Sequence, residues 1–288
     1  MADEKKLVAE NVSGNFFVDR TCINCDTCRQ LAPAVFADQG QYSYVSHQPQ
    51  NDTQEVEAMR ALLSCPVGSI GNRAKSKPNV AGDFPLPITA DVYYCGFNSA
   101  QSYGGNSFFI THPDGNWLID SPKFLPHLVK QFTALGGIKY IFLTHRDDVA
   151  DADKYAAEFG AQRLIHRAEL SSQPQSEIVI DQDDDLQFAP DFRIIVTPGH
   201  TRGHMVLLYK NQVLFTGDHL SYDVDEDTLY AHEGHCWYDW QEQIKSMKRL
   251  SQFDFEWVLA GHGNRGHLPL KKMKRKLNEL IERMPSLA

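Results

Sequence analysis

The chain has 288 residues, of which 42% are hydrophobic and 23% charged, and its formal net charge at pH 7 is −9. This composition is typical of a globular protein with room for two domains. The acidic balance disfavours nucleic acid as a partner, and no apolar run approaches the roughly 20 residues that cross a bilayer. The N-terminal segment is charged and lacks the apolar core of a secretion signal. We therefore expect a cytoplasmic protein with no membrane partner.

The cysteines are concentrated near the N-terminus. Cys22, Cys25 and Cys28 form a C-x-x-C-x-x-C run, and Cys65 lies further along, directly before Pro66. In a chain that is not secreted, this spacing favours metal binding over a disulfide framework. Four thiolates in this order suit a [4Fe–4S] cluster. A structural zinc site is the alternative, although zinc cysteines usually come as two separated C-x-x-C pairs.

Residues 15–72 closely resemble single-cluster bacterial ferredoxins in the cysteine run, in the Cys65-Pro66 closure and in the flanking apolar residues. The resemblance implies an α+β ferredoxin-like domain over residues 1–75, with the four cysteines as ligands of a [4Fe–4S] cluster. The middle ligand, Cys25, is present, which disfavours a [3Fe–4S] form. The second cysteine run of two-cluster ferredoxins is missing, and residues 42–59 take its place.

A proline-rich segment follows this domain. Residues 75–87 contain three prolines and a glycine without periodicity, which predicts a linker over residues 76–88. Beyond it, short apolar runs alternate with helical spacing, and this pattern predicts an α/β layered domain over residues 89–288. Helical spacing occurs at 152–159, at 244–250 and in a basic C-terminal helix at 271–284. The predicted strands are 107–111, 116–120, 140–145, 163–166, 193–197, 205–209, 212–218 and 257–262.

Histidine and aspartate stand at the ends of several predicted strands. His145 closes one strand, His200 lies in T-P-G-H-T-x-G-H, Asp218 in F-T-G-D, and His262 in A-G-H-G. The glycines let the backbone pass close to the ligands, while the strands fix the positions of the side chains. The pattern predicts a metal site at one end of the sheet, with ordinary turn and core positions as the alternative.

In order and spacing, these motifs resemble the metallo-β-lactamase (MBL) superfamily over about residues 90–265. The resemblance implies an αββα sandwich with one or two metals at one edge. Members usually carry T-H-x-H-x-D-H, but here Asp147 replaces the second histidine, and Val149 and Ala150 replace the Asp-His pair. Because that pair normally serves the second metal, one metal is expected more readily than two.

The resemblance implies that His145, His200 and Asp218 bind the first metal, with Asp147 as a candidate fourth ligand. A second metal could draw on Asp218 and His262, joined by Asp151 if the loop is rebuilt. The acidic residues have another role open to them, because carboxylates favour helix N-termini. We expect Asp148 to be such a cap, and both roles stay open for Asp147 and Asp151.

Two histidines and one carboxylate are typical of a non-haem iron site. In this superfamily, persulfide dioxygenases bind one iron through residues that match His145, His200 and Asp218. Zinc would suit hydrolysis but has no redox chemistry. We therefore expect an iron-dependent redox enzyme, in which the ferredoxin domain exchanges electrons with one or two irons in the MBL fold. The alternatives are a zinc or iron hydrolase of thioesters with a structural or regulatory cluster, and a redox sensor or scaffold without catalytic metal.

A polar and aromatic stretch at 222–240 follows Asp218, where this superfamily often places loops that cover the substrate. Tyr222, His235 and Trp237 are candidates for the pocket lining, with ordinary packing as the alternative. Arg265 could hold an anionic substrate at the rim, or belong to a solvated turn. The expected partners are a small-molecule substrate and, as a further candidate, an external electron-transfer protein.

Overall fold

The computed structural model describes residues 2–75 and 77–286, and the chain divides into two compact units, residues 1–138 and 139–288. Ser76, in the predicted linker, lies outside the described residues, as do Met1 and the last two residues of the predicted C-terminal domain. None of the helices in the described part of the chain has the length and apolarity needed to cross a membrane.

The first unit begins with short strands and two helices around a small core. Strand β1 pairs with β4, and β2 pairs with β3, both antiparallel. Helix α2 begins after Asn51, whose side chain caps it by accepting a hydrogen bond from the backbone of Gln54. The elements are β1 (Phe16–Val18), α1 (Thr27–Leu31), β2 (Phe36–Asp38), β3 (Ser43–Val45), α2 (Asp52–Ser64) and β4 (Ile70–Asn72).

The same unit continues as an antiparallel meander of four strands and one helix. The strands are β5 (Leu86–Pro87), β6 (Val92–Tyr94), β7 (Phe108–Ile110) and β8 (Trp117–Ile119), and the helix is α3 (Pro126–Ala134). Strand β5 and a short 3-10 turn, Ala81–Asp83, lie within the segment predicted as a linker. Ordered pairing therefore begins inside that segment.

The second unit starts with three parallel strands. Helix α4 joins the first two strands, as parallel pairing requires a crossover connection. The elements are β9 (Tyr140–Phe142), α4 (Ala152–Phe159), β10 (Gln162–His166) and β11 (Ile178–Ile180). The helix predicted at 152–159 and the strand predicted at 163–166 are thus observed, the strand one residue longer.

A six-stranded sheet and two helices complete the second unit. The strand order is β12-β13-β14-β15-β18-β19, with a separate hairpin of β16 and β17. The elements are β12 (Leu186–Ala189), β13 (Phe192–Val196), β14 (Met205–Tyr209), β15 (Val213–Gly217), β16 (Ser221–Asp223), β17 (Thr228–Tyr230), α5 (Trp240–Leu250), β18 (Trp257–Ala260), β19 (Gly266–His267) and α6 (Leu270–Arg283).

The pairing of this sheet determines where the loops with histidine and aspartate meet. Strand β14 is antiparallel to both β13 and β15, and β15 is parallel to β18. Strands β13, β15 and β18 therefore run in the same direction, and their carboxyl ends lie at one edge. Strands β14 and β15 are buried at every position, so both faces of the sheet are covered. The apolar sides of α5 and α6 pack in the core of this unit.

The side chain of Asn116 joins two loops of the first unit, the one between β7 and β8 and the one after α3. Its amide nitrogen donates to the carbonyls of Leu135 and Gly137 at 2.8 and 2.9 Å, and its oxygen accepts from the backbone N–H of His112 at 2.9 Å. Asn116 is 7% exposed. A side chain without an amide would leave these backbone groups without that partner in the interior.

We expect Asn116→Ala to lower the free energy of unfolding by about 2–3 kcal/mol, because buried polar groups that lose a hydrogen-bond partner are costly. Chemical denaturation followed by circular dichroism measures this change. The matched control is Asn278→Ala, which removes the same amide from the exposed side of α6. Equal stability of the two variants would contradict the role given to Asn116.

Candidate functional site

The four cysteines predicted as cluster ligands lie together in the first unit. Cys22, Cys25, Cys28 and Cys65 line one cavity, and none of them forms a disulfide. The other lining residues are mostly apolar or carry hydroxyl groups. They are Val18, Ile23, Thr27, Ser43, Pro66, Val67, Ser69 and Ile70.

Backbone N–H groups point at the sulfur atoms of this cavity. The N–H of Asn24 donates to Cys22 Sγ at 3.4 Å, and the N–H of Ser69 donates to Cys65 Sγ at 3.3 Å. Hydrogen bonds to cysteine sulfurs are one of the means by which proteins adjust the potential of an iron–sulfur cluster. The cavity and its donors therefore fit a cluster held by four thiolates.

Burial opposes charge on these sulfurs when no metal is bound. Desolvation raises the pKa of Cys25 to about 11, against the opposing effect of its hydrogen bonds with Thr27, and raises the pKa of Cys28 further. Both groups are therefore neutral thiols at pH 7 in the metal-free protein. A bound cation reverses this preference, because a coordinating thiol is deprotonated.

We expect Cys25→Ser to remove most of the visible absorbance and iron of the anaerobically reconstituted cluster, because it removes one of four thiolates. Iron and acid-labile sulfide per chain measure this loss. Cys236→Ser is the control, since Cys236 lies in the second unit and donates to the carbonyl of Gly199 at 3.1 Å, a bond that serine keeps. A full cluster in Cys25→Ser would rule out the assigned ligand set.

The predicted metal ligands of the second unit meet at the edge of the sheet. His200 follows β13, Asp218 follows β15 and His262 follows β18, while His145 follows β9. Asp218 Oδ2 lies 3.7 Å from His145 Nε2, 3.7 Å from His200 Nε2 and 3.8 Å from His262 Nε2. One carboxylate oxygen is thus the common neighbour of three imidazoles.

Asp147 lies on the open side of the same group. Its Oδ2 is 3.8 Å from His145 Nε2 and 3.7 Å from His200 Nε2, and its side chain is 45% exposed. The His200 side chain lowers the pKa of Asp147, against an opposing effect of burial. Two ligands of one tetrahedral ion are separated by roughly 3.4 Å when each bond is about 2.1 Å long. These separations are therefore close to those of a metal's ligands.

Two imidazole nitrogens of the site are buried and have no hydrogen-bond partner. They are Nε2 of His145 and Nε2 of His200, the atoms that face the carboxylates. On its other side, His145 Nδ1 lies 3.0 Å from the hydroxyl of Thr144, which holds the ring in place. Desolvation lowers the pKa of His145 to about 4, so at pH 7 its ring is neutral, as metal binding requires. These buried, unpartnered nitrogens fit a metal ion.

The prediction that Asp148 caps a helix is wrong. The residue at the N-cap of α4 is Asp151, and Asp148 instead lies buried beside the histidines, 2% exposed, with Oδ1 3.9 Å from His262 Nε2. Ligand atoms of His145, Asp148 and Asp218 lie within 4.8 Å of one another. The loop from 146 to 151 turns through a positive φ at Ala150, which helps direct Asp148 inward and Asp151 to the helix.

Gly261 makes room for this second carboxylate. A Cβ at that position would meet Asp148 Oδ2 and Asp218 Oδ1, each at 2.7 Å. The glycine of the A-G-H-G motif therefore allows the backbone before His262 to approach both carboxylates. Asp148, Asp218 and His262 together form a second candidate metal position beside the first, and Asp218 belongs to both.

Asp151 and the pocket candidates have other surroundings. Asp151 accepts a hydrogen bond from Lys154 Nζ at 2.6 Å, and Tyr222 donates its hydroxyl proton to Asp227.

Trp237 is 59% exposed, and its ring centroid lies 6.3 Å from that of His200. His235 stacks on His232 with ring centroids 4.3 Å apart. Arg265 lies in the loop between β18 and β19.

Glu169 is a positioning residue that the sequence patterns did not indicate. It is 1% exposed, and its Oε1 accepts from the backbone N–H of Gly203 at 2.6 Å. Gly203 lies in the loop of His200, so this bond fixes the loop that carries a predicted ligand. An isolated glutamate in a short 3-10 segment, Arg167–Ser172, gives no sequence signal for such a role.

Comparison with known families gives the same two parts in the same order. Residues 18–72 match the model "4Fe-4S single cluster domain of Ferredoxin I", and residues 88–284 match the model "Metallo-beta-lactamase superfamily". The second match covers more than half of the chain. The chain belongs to the metallo-β-lactamase superfamily. A ferredoxin-like domain followed by an MBL-type sandwich, as predicted, is thereby confirmed.

Curated relatives match part of this superfamily chain. A hydroxyacylglutathione hydrolase of Shewanella pealeana is 31% identical over 148 residues, and one of Acidiphilium cryptum is 28% identical over 138 residues. Each match covers 47% of this chain and 51% of the relative. An atrochrysone carboxyl ACP thioesterase of Aspergillus fumigatus is 22% identical over 179 residues, which cover 62% of this chain and 43% of the thioesterase. The chain therefore spans about half the length of the curated relatives it matches.

Solved structures support the fold alone. A metallo-β-lactamase from Erythrobacter litoralis has a TM-score of 0.53 at 15% identity, over 68% of this chain and 95% of the other. The mono-zinc form of FIM-1 from Pseudomonas aeruginosa has a TM-score of 0.52 at 16% identity, over 68% of this chain and 93% of the other.

We expect Asp148→Asn to lower the zinc content of the chelated and reloaded protein by about one ion per chain, because the second position loses a charged ligand. Native mass spectrometry of the protein with its cluster intact counts zinc separately from cluster iron. Asp153→Asn, in the exposed first turn of α4, is the control with the same change of charge. An unchanged zinc content in Asp148→Asn would show that this carboxylate holds no metal.

Proposed function

We propose that this chain is a metal-dependent hydrolase of thioesters, with a metal centre built from His145, His200, Asp218 and Asp147 and extended by Asp148 and His262. The observation that carries the proposal is the convergence of three imidazoles on Asp218, with the Nε2 atoms of His145 and His200 buried and unpartnered. The names of the curated relatives, hydroxyacylglutathione hydrolase and thioesterase, support thioesters as the substrate class.

A metal bound here supplies Lewis acidity toward a carbonyl and lowers the pKa of bound water. The residues that would hold this metal differ in burial. His145 is fully buried and His200 nearly so, while the side chains of His262 and Asp147 are 31% and 45% exposed. The centre is therefore closed on the side of His145 and open on the side of Asp147 and His262, where a substrate enters.

Trp237 is placed beside this open side. Its backbone N–H donates to the carbonyl of His200 at 2.9 Å, which fixes the residue, while its indole ring stays largely exposed. An exposed indole next to a metal ligand offers an apolar surface for an acyl or thiol group. We assign Trp237 to substrate contact, together with the stacked pair of His232 and His235 that lies next to it.

A second candidate function is the iron-dependent redox enzyme in which the cluster exchanges electrons with this centre. The donor set is compatible with it: the candidate ligands are three imidazoles and three carboxylates, without a thiolate, and such a set suits iron and manganese as well as zinc. Under this proposal, the ferredoxin domain supplies electrons to the metal centre, and an external electron-transfer protein then reduces the cluster again. Under the hydrolase proposal, the cluster has a structural or regulatory role.

We expect the metal-loaded protein to hydrolyse a hydroxyacylglutathione thioester, and Asp218→Asn to lower kcat/KM by about a thousandfold, or ~4 kcal/mol, because it removes the carboxylate shared by the ligands. Release of the free thiol, followed with a chromogenic thiol reagent, measures the rate. His47→Gln, an exposed histidine of the first unit, is the control.

The oxidation state of the cluster separates the two functions. A hydrolase with a structural cluster releases thiol at the same rate with the cluster oxidised or reduced under anaerobic conditions, whereas a regulatory cluster changes that rate without being oxidised by the metal centre. Failure of fully metal-loaded protein to hydrolyse any of a panel of acyl thioesters would reject the hydrolase. Rapid oxidation of the reduced cluster by iron in the centre, absent in Asp218→Asn, would then favour the redox enzyme.

A further inference from the structure

The cysteine cavity has neighbours from outside the ferredoxin-like segment but within the first compact unit. Two parts of the chain contribute them: the loop at 98–105, which follows β6, and Lys123, which precedes α3. Both belong to the sequence that matches the MBL model, which starts at residue 88. The surroundings of the cluster ligands are therefore not confined to the segment that supplies the cysteines.

Gly104 brings the first of these neighbours against a ligand. It has a φ of +89°, and a Cβ built on it would lie 2.7 Å from Cys25 Cβ, 2.8 Å from Cys25 Sγ and 3.2 Å from Pro66 Cγ. Only glycine permits this approach in this conformation. The backbone of the loop thus covers Cys25 closely on one side, and the residue is partly buried.

A buried polar network connects the loop to the same sulfur. Asn98 Nδ2 donates to Thr27 Oγ1 at 3.1 Å and to the carbonyl of Gly104 at 2.7 Å, while Asn98 Oδ1 accepts from the hydroxyl of Tyr94 at 2.7 Å. Thr27 Oγ1 lies 3.4 Å from Cys25 Sγ. A ligating thiolate can only accept, so a hydrogen bond between these two atoms is donated by the hydroxyl of Thr27, which also has the carbonyl of Gly104 3.5 Å away.

Lys123 is held beside the fourth cysteine. Its backbone N–H donates to the carbonyl of Phe97 at 3.0 Å, and its ammonium donates to the carbonyl of Pro66 at 2.7 Å, with the carbonyl of Cys65 3.5 Å away. The side chain is partly buried. Water therefore screens its charge less than it would on an open surface.

We infer that the MBL part of the chain completes the cluster site: the loop at 98–105 shields Cys25 and orients Thr27 toward its sulfur, and Lys123 raises the reduction potential of the cluster. A cluster gains negative charge on reduction, so a fixed positive charge and donated hydrogen bonds favour the reduced form. This inference concerns the cluster alone and does not depend on which reaction the metal centre performs.

The test is a redox titration of the full-length, anaerobically reconstituted protein, followed by electron paramagnetic resonance. We expect Lys123→Met to shift the ratio of reduced to oxidised cluster about tenfold toward the oxidised form at a fixed potential, a fall in midpoint potential of about 59 mV for one electron. Lys123→Arg keeps the charge and should stay near the wild-type value. Lys130→Met, an exposed lysine of α3, is the control that removes the same charge elsewhere in this unit.

Two further pairs of variants test the hydrogen bond from Thr27 and the shielding of Cys25 by the loop at 98–105. Thr27→Val should lower the midpoint potential while Thr27→Ser keeps it, because only the serine retains the hydroxyl. The cluster absorbance of Gly104→Ala should bleach several-fold faster in air than that of Gly160→Ala. Gly160 also has a positive φ, but a Cβ at that position meets open space. These pairs decide the outcome if Lys123→Met fails to fold.

The inference is overturned if Lys123→Met and Lys130→Met have the same midpoint potential, or if Lys123→Arg falls as far as Lys123→Met. Equal bleaching of Gly104→Ala and Gly160→Ala would overturn the shielding role of the loop. A wild-type chain that assembles no [4Fe–4S] cluster would overturn the whole inference.

Discussion

The loops at one edge of the second unit's sheet meet at the carboxylate of Asp218, whose side chain is 16% exposed. Burial raises the pKa of Asp218, but His262, His145 and His200 outweigh that effect, and the net shift is downward. A buried charge is costly unless it is paired. The sheet meets this requirement by ending three strands of the same direction at one edge, so that the loops of β13, β15 and β18 bring their side chains to one point.

Three histidines of this loop cluster, His145, His204 and His219, are buried in the interior. Desolvation lowers the pKa of His145 and His204, and lowers that of His219 to about 3, so the interior of the loop cluster carries imidazoles rather than imidazolium ions. The rings of His145 and His204 lie 5.1 Å apart, and those of His204 and His219 lie 5.4 Å apart. The aspartates thus supply negative charge, and the histidines supply neutral imidazole nitrogens. Divalent cations bind this combination of ligands.

Many of the elements and motifs around the two sites could be predicted from the sequence, because each depends on a short local pattern. The cysteine spacing, the strands before His200, Asp218 and His262, and the helix at 152–159 are each encoded within a few residues. The orientation of the acidic run could not be read in this way. Asp148 turns inward because Gly261, far along the chain, leaves space for its carboxylate. Strand β5 was not predicted, because it lies in the proline-rich segment that indicates a linker, and helix α3 was not predicted either.

The contact between Gly104 and Cys25 has a consequence for how such a fusion changes over evolutionary time. Once the backbone of one ancestral module covers a ligand of the other, a substitution in either module alters the fitness of residues in its neighbour. A recombination event that exchanges the first 75 residues would import a cysteine loop never selected against this glycine or against Lys123. Exchange of the first 75 residues alone would therefore disturb the packing of Gly104 against Cys25, although each module has its own sequence signature.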